Sequence, residues 1–463
     1  MRLSARSLEK LPADVRRSGY DPATIGVGIV HLGLGAFHRA HQAVYVDDLL
    51  AKGAGDWRIL GVSLRSPGVR DQLQPQDGLY TLVERDGDEE RLRIIGSVAD
   101  ILVAPENPQA VIDAIAAPAT HIVSLTITEK GYCHDPASGK INWDHPDIVH
   151  DLGNLISPKS AIGYLAAGLK QRMETGAGPL TLMSCDNLPH NGAVLKSVLG
   201  DFVTKAAPDA SDWLAVNASF PATMVDRIVP ATTDADLAKL AARIGVTDLG
   251  MVKAEPFSQW VIEDDFAGPR PAFECVGAQL VADVRPFELA KLRMLNGSHS
   301  TIAYLGLFYG HETVDQAMAD PRIAPVVDAL MEEAAATLPV IPGLNPVSYA
   351  EALKARFRNA ALQHRLAQIA MDGSQKLPQR LLGTISDLHA AGKTPRAAAT
   401  GLAAWMRHFS GPFVNDPLAA RLVAAANDNP AELVGNAMAI EPVFGSLGRE
   451  SWLRELLLDV MPR

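Results

Sequence analysis

Short apolar runs and helical patterns alternate through the first half of the chain. Residues 25–34 form a β-rich run that enters Gly33-Leu34-Gly35, and residues 36–50 then carry apolar side chains at helical spacing. Residues 57–64, 79–84, 92–97, 121–128 and 180–184 read as further strands. Strands separated by helices predict a mainly parallel sheet with crossover helices. From about Glu288 the pattern changes. Residues 292–308, 324–338, 348–356, 360–371, 396–409 and 418–426 keep helical periodicity with almost no β-branched alternation. The pattern predicts an α/β domain over residues 1–284 followed by a mostly α-helical domain over 285–463.

Composition adds limits. At 463 residues the chain exceeds one ordinary core. Its 48% hydrophobic and 21% charged residues suit a chain folded throughout. A formal charge of -11 offers no large positive field for a phosphate backbone, which argues against a nucleic-acid partner. An anionic substrate must therefore be held by a few local cations. The cysteines Cys133, Cys185 and Cys275 lie far apart and form no CxxC pair, so neither a disulfide framework nor a cysteine zinc site is suggested, and a reducing cytoplasm fits. Residues 1–20 are broken by Arg, Lys and Asp, and no run of about 18 apolar residues occurs, so neither export nor a membrane span is expected.

In Ile29-Val30-His31-Leu32-Gly33-Leu34-Gly35-Ala36-Phe37-His38-Arg39-Ala40, two glycines stand on a strand-to-helix turn. A backbone without Cβ can approach a pyrophosphate there. His38 occupies the place of the third glycine of GxGxxG, and a plain tight turn is the competing reading. Where NAD-selective sites commonly present an acid to the ribose, Arg65, Ser66, Pro67 and Gly68 follow the second strand, which leaves NADP open through Arg65.

The densest polar pattern is Lys291-Leu-Arg-Met-Leu-Asn296-Gly297-Ser298-His299. On an ideal α-helix Glu288, Lys291, Asn296 and His299 fall within roughly 140° of one face beside apolar positions. Oxidising a secondary alcohol needs a base for the hydroxyl proton, and a lysine desolvated beside a cationic nicotinamide has its pKa lowered towards that task. Asn296 can donate to a developing alkoxide, His299 can fix a neighbouring hydroxyl, and Glu288 can tune the lysine. The competing reading is a solvated Glu/Lys pair with an Asn and a His satisfied in the core. None of the eight tyrosines has Lys four residues later, as a short-chain enzyme requires. The three cysteines offer no recognisable zinc set, so metal-independent chemistry is expected.

Six ordered segments carry a resemblance. They are Gly33-x-Gly35-Ala-Phe-His-Arg-Ala-His-Gln42, Ser124-Leu-Thr-Ile-Thr-Glu-Lys-Gly-Tyr132, Met183-Ser-Cys-Asp-Asn187, Met224-Val-Asp-Arg-Ile228, Lys291-x4-Asn296-x2-His299 and Asp372-Gly-Ser-Gln-Lys376. Over roughly residues 25–410 the chain resembles the polyol-specific long-chain dehydrogenases, the mannitol dehydrogenase family. The resemblance implies a Rossmann-type NAD-binding domain joined to a mostly helical domain, an active site between them, no metal and a monomer. It implies Lys291 as general acid/base, Asn187 and Asn296 as the oxyanion site, His299 and Asp226 on substrate hydroxyls, Lys376 as a further substrate contact, and Glu129 and Glu288 on a proton route. For Asp226 the competing reading is an internal pair with Arg227.

Within the family, Glu129-Lys130-Gly131, residues 291–300 and residues 369–380 are most similar to the branch acting between D-fructuronate and D-mannonate, which uses NAD. Mannitol-specific members carry Gly where Lys130 stands and Arg where Gln368 stands. Asn187-Leu-Pro-His-Asn-Gly192 instead resembles the mannitol branch, and residues beyond about 410 match neither. A hexuronate carboxylate would need a cation, for which Lys130, Arg293, Arg365 and Lys376 are the candidates. Mannitol, arabinitol or another polyol is the alternative substrate. An inactive NAD-binding sensor and a Schiff-base lysine enzyme are the alternatives from other classes.

Overall fold

The computed structural model describes residues 1–135, 138–411 and 414–462. The chain divides into two compact units, Met1–Val284 and Arg285–Arg463.

The first unit is built on β1 (Val27–Leu32), β2 (Arg58–Ser63), β3 (Tyr80–Asp86), β4 (Glu89–Ile95), β5 (Val98–Val103), β6 (Ile122–Leu125), β7 (Leu180–Ser184), β8 (Ala218–Ser219), β9 (Thr223–Asp226), β10 (Val252–Ala254), β11 (Gln259–Glu263) and β12 (Gln279–Val281). Six of these form a sheet in the order β5-β2-β1-β6-β7-β8, with every neighbouring pair parallel. Helices Pro108–Ala116, Ala161–Thr175 and Asn191–Ala206 return the chain between strands. Both sheet faces are covered, which is why these strands read as continuous apolar runs. Along β1 the strand period of two sends Val30 and Leu32 into a core with Ile162, Leu165 and Phe202, and Ile29 into another with Val46, Leu49 and Met183. The strand order reverses between β1 and β6, so their carboxyl ends open the crevice where such sheets bind ligands.

Two expected strands lie outside this sheet. β3 and β4 form an antiparallel hairpin, with Asp86 opposite Glu89, and β10 adds to β3. Gly87-Asp88 at the tip is far too short for a crossover, and Gly87 takes φ 56, which glycine adopts readily. The expected helix over 36–50 is also interrupted. It divides at His41 (φ -127, ψ -92) into Ala36–Ala40 and Gln42–Ala51.

The second unit is helical. Gly297–Phe308 is buried along almost its whole length and packs on Arg396–Arg407, where a Cβ at Gly401 would lie 2.2 Å from Thr301 Oγ1. The expected helix over 360–371 is broken. Gln363 adopts φ 45, and the amides of Val314 and Leu366 donate to the carbonyls of His364 and Glu312. These bonds to a neighbouring segment replace the helical ones. The tail is integral to the core, since Leu433 and Val434 of Pro430–Met438 and Leu453 and Leu457 of Ser451–Asp459 are buried within it. No helix among the described residues is long and apolar enough to cross a membrane.

Candidate active site

The Gly33 turn is fixed by its neighbours. Gly33 has φ 94, and an added Cβ would lie 2.2 Å from the Thr126 carbonyl oxygen, so only glycine fits. Gly35 is exposed, and a Cβ there would meet nothing nearer than the Gly33 carbonyl at 3.8 Å. The turn thus presents open backbone at a strand's carboxyl end, a cradle that suits a dinucleotide's diphosphate. Thr126 Oγ1 donates to the Gly33 carbonyl at 2.8 Å and so accepts from His31 Nε2–H at 2.8 Å, leaving His31 Nδ1 to accept from Ser124 Oγ. Burial lowers the His31 pKa to about 3, so the ring is neutral.

Several expected cofactor residues turn their side chains inward. His38 stacks on His31 and bonds Gln42, while the Arg39 guanidinium donates to the Gly250 carbonyl beneath the Tyr80 ring. Their contribution to the turn is therefore backbone. Phe37 stacks on His41, and Ala36 opens the short helix. Arg65 and Ser66 are exposed just beyond β2.

Beyond β6 and β7 the chain brings together Glu129, Lys130 and Asn187, all exposed within this unit. Asp186 joins the two strand ends. Its carboxylate accepts from the amides of Ile127 (3.0 Å) and Thr128 (2.8 Å) and from the Tyr132 hydroxyl (2.8 Å). Burial, with the nearby Glu129 charge adding to it, raises the Asp186 pKa. The Asp186 carbonyl is held in turn by the buried Asn191, whose amide also pairs with both backbone groups of Thr223 at the start of β9. That strand ends on the buried Asp226. The adjacent Arg227 guanidinium donates to the carbonyls of Ala40 and Glu255 and pairs with Glu84, and so satisfies the Ala40 carbonyl at the helix break. Sequence patterns do not single out His31, Thr126, Asp186, Tyr132 or Asn191. Their one signal is a place inside or beside the six ordered segments.

In the second unit Lys291–Asn296 is a π-helical turn that leads into Gly297–Phe308. The α-helical face expected for these residues is corrected accordingly. Hydrogen bonding from i to i+5 places Lys291 and Asn296, five apart, on the same side, and such turns favour functional sites. A second π turn, Pro378–Leu382, packs on the first, with Gly297 leaving room for the Arg380 carbonyl at 3.1 Å from an added Cβ. Lys291, Asn296 and Glu288 are half-buried.

His299 is buried between Phe357 and His364, and its Nε2 has no partner among the described residues. Burial, then the neighbouring His364, Arg356 and Arg380, hold its pKa well below that of free histidine, so it serves as a neutral hydrogen-bonding group. Lys376 donates to the Met371 carbonyl at 2.6 Å, and burial lowers its pKa. Arg365 is exposed at a helix start. Arg293 differs from the other cations because it is buried and paired with Asp387 at 2.6 Å. Among the described residues no group of three or more His, Cys, Asp and Glu side chains is arranged to hold a metal.

Residues 27–275 match the family model of the mannitol dehydrogenase Rossmann domain, and residues 283–458 match that of the mannitol dehydrogenase C-terminal domain. The D-mannonate oxidoreductase of Escherichia coli is 47% identical over 403 residues, 86% of this chain and 83% of that protein. The mannitol 2-dehydrogenase of Phaeosphaeria nodorum is 40% identical over 459 residues, 96% of this chain and 80% of that protein. The structure of Pseudomonas fluorescens mannitol 2-dehydrogenase in ternary complex with NAD and D-mannitol superposes with a TM-score of 0.85 at 39% identity, covering 99% of this chain and 96% of that one.

Proposed function

Because the chain belongs to the mannitol dehydrogenase family of oxidoreductases, we propose that it is an NAD-dependent enzyme interconverting D-fructuronate and D-mannonate. The observation that carries this reading is the 47% identity to a D-mannonate oxidoreductase, together with Lys130, an exposed cation directly after Glu129. Bound NAD supplies the hydride acceptor and donor. The glycine turn from Gly33 to Arg39, with Arg65 and Ser66 beside it, holds the dinucleotide.

Lys291 takes the hydroxyl proton in oxidation and returns it in reduction, exchanging it with water along Glu288 and Glu129. Asn187 and Asn296 donate to the oxygen on which charge develops. His299, whose buried Nε2 lacks a protein partner among the described residues, and Asp226 bind adjacent hydroxyls. Lys130, Arg365 and Lys376 meet the carboxylate. A monomer working in the cytoplasm completes the reading, which the three free thiols suit.

Oxidation of mannitol or another polyol is the second reading, favoured by the mannitol-bound relative and by residues 187–192. A panel of D-fructuronate, D-fructose, D-mannonate, D-mannitol and D-arabinitol, followed by nicotinamide absorbance with NAD(H) and NADP(H), separates the two. The proposal expects D-fructuronate to exceed D-fructose in kcat/KM by about a hundredfold, the scale of one charge-assisted hydrogen bond. Equal or better use of fructose would move the chain to the mannitol reading, and preference for NADPH would show Arg65 reading a 2′-phosphate. Activity should survive a strong chelator, and loss restored by zinc would sink the metal-free mechanism.

A further inference from the structure

We propose that Asp186 is a positioning residue that fixes the reach of Glu129 and Lys130 by clamping the loop that carries them at both of its ends. The loop enters through Thr128, whose backbone sits at φ 64, ψ 161. A β-branched residue rarely occupies that region unless its surroundings impose it. The imposing groups are identifiable. The two carboxylate oxygens of Asp186 take the amides of Ile127 and Thr128, one each. The loop returns through the fully buried Tyr132, whose hydroxyl donates to the same carboxylate. Between these anchors Glu129 and Lys130 stand outward, and a bond from the Gly131 amide to the Thr128 carbonyl closes the turn. Gly131 itself is pressed against Ile127, where an added Cβ would lie at 2.9 Å.

The clamp has a rigid mount. The buried Asn191 ties the Asp186 carbonyl to Thr223, so the residue that grips the loop is itself fixed to the strand leading to Asp226. Asp186 also directly precedes Asn187. One carboxylate therefore sets the backbone from which three proposed active-site residues project: Glu129 on the proton route, Lys130 on the substrate carboxylate and Asn187 at the oxyanion site.

The inference rests on the proposed function, and the two can fail separately. Asp186→Asn, Thr128→Gly and their combination would be compared with the wild type in the full chain. Asparagine keeps the shape of the side chain but has one acceptor oxygen where two amides need one each. Its kcat on the sugar substrate should fall at least tenfold while NADH affinity, read by fluorescence, stays within about threefold. Glycine at 128 adopts φ 64 without strain. Thr128→Gly alone should keep most activity, and the double variant should recover at least threefold over Asp186→Asn. A purely structural carboxylate would not give that rescue.

Wild-type kcat in Asp186→Asn, a parallel loss of NADH affinity, or no recovery in the double variant would overturn the role of Asp186. Should Asp186→Asn fail to fold by circular dichroism, Tyr132→Phe carries the test. A severalfold lower kcat/KM with NADH affinity kept supports the clamp, and wild-type values overturn it. A wild type that turns over no sugar acid or polyol would sink the functional reading and this inference with it.

Discussion

The imidazole rings of His31 and His38 stack with their centroids 3.3 Å apart beneath the glycine turn, inside the first unit. Burial lowers both pKa values, that of His31 to about 3. In the unfolded chain each ring takes a proton near pH 6.5, whereas in the folded chain neither does. The unfolded state then binds more protons, so stability is full above about pH 6.5 and falls as the pH is lowered towards the folded values. Replacing His31 by Gln removes one such group. Between pH 6 and 4 the unfolding free energy from urea titrations should depend on pH less steeply than in the wild type, by about 1.4 kcal/mol per pH unit. Parallel curves would mean that His31 is protonated in the native protein.

The same turn gives a prediction for cofactor binding. Gly33→Ala places a Cβ 2.2 Å from the Thr126 carbonyl at a backbone angle of φ 94. The Cβ position is set by the backbone that carries it and the oxygen it meets is a backbone carbonyl, so the turn must shift, at a cost of about 1–3 kcal/mol. NADH affinity should fall at least tenfold, and the melting temperature should drop. Gly35→Ala faces open space and should leave stability nearly unchanged while still weakening NADH. Equal NADH binding in wild type and Gly33→Ala would remove the turn from the cofactor site.

Why one part of the molecule is legible in the sequence and another is not follows from range. β1, β6 and β7 are buried on both faces, so a local apolar run suffices to reveal them. The long helices of the second unit show through their periodicity in the same way. The β3–β4 hairpin reads as two strands, but its separate sheet depends on pairing with β10, more than 150 residues away. The break at His41 depends on Arg227 taking the Ala40 carbonyl, and the bend at Gln363 depends on bonds to residues 312–314. Lys291, Asn296 and His299 stand out as chemistry on a helical pattern. Asp186 does not, because its work lies in accepting from backbone amides, which leave no trace in side-chain type.

Lys291 lies on a π turn with Asn296 on the same side. A lysine that transfers the substrate proton should be needed for turnover and dispensable for nucleotide binding. Lys291→Ala should lower kcat by about two to four orders of magnitude, with NADH affinity nearly unchanged. Asn296→Ala should cost roughly 3 kcal/mol in kcat/KM through removal of an oxyanion donor. Retention of a third of wild-type turnover by Lys291→Ala would remove it from the mechanism.

Lys130 decides between the two substrate readings. The chain's formal charge of -11 repels a sugar acid at long range, so selection must come from local cations. Of the four candidates, Arg293 is committed to Asp387, and Lys376 already gives one of its three donors to the Met371 carbonyl. Lys130 is exposed at the tip of the loop held by Asp186. Removing one charge-assisted hydrogen bond from a partly dry site weakens acid binding by about 1.5–3 kcal/mol, roughly ten- to a hundredfold. Lys130→Gly should therefore raise KM for D-fructuronate by that factor, with little change in kcat and little effect on D-fructose. A neutral ketose hurt as much as the acid would show that the lysine shapes the loop and does not read charge. An unaffected acid would pass the role to Arg365, whose replacement by Ala should then produce the selective rise in KM.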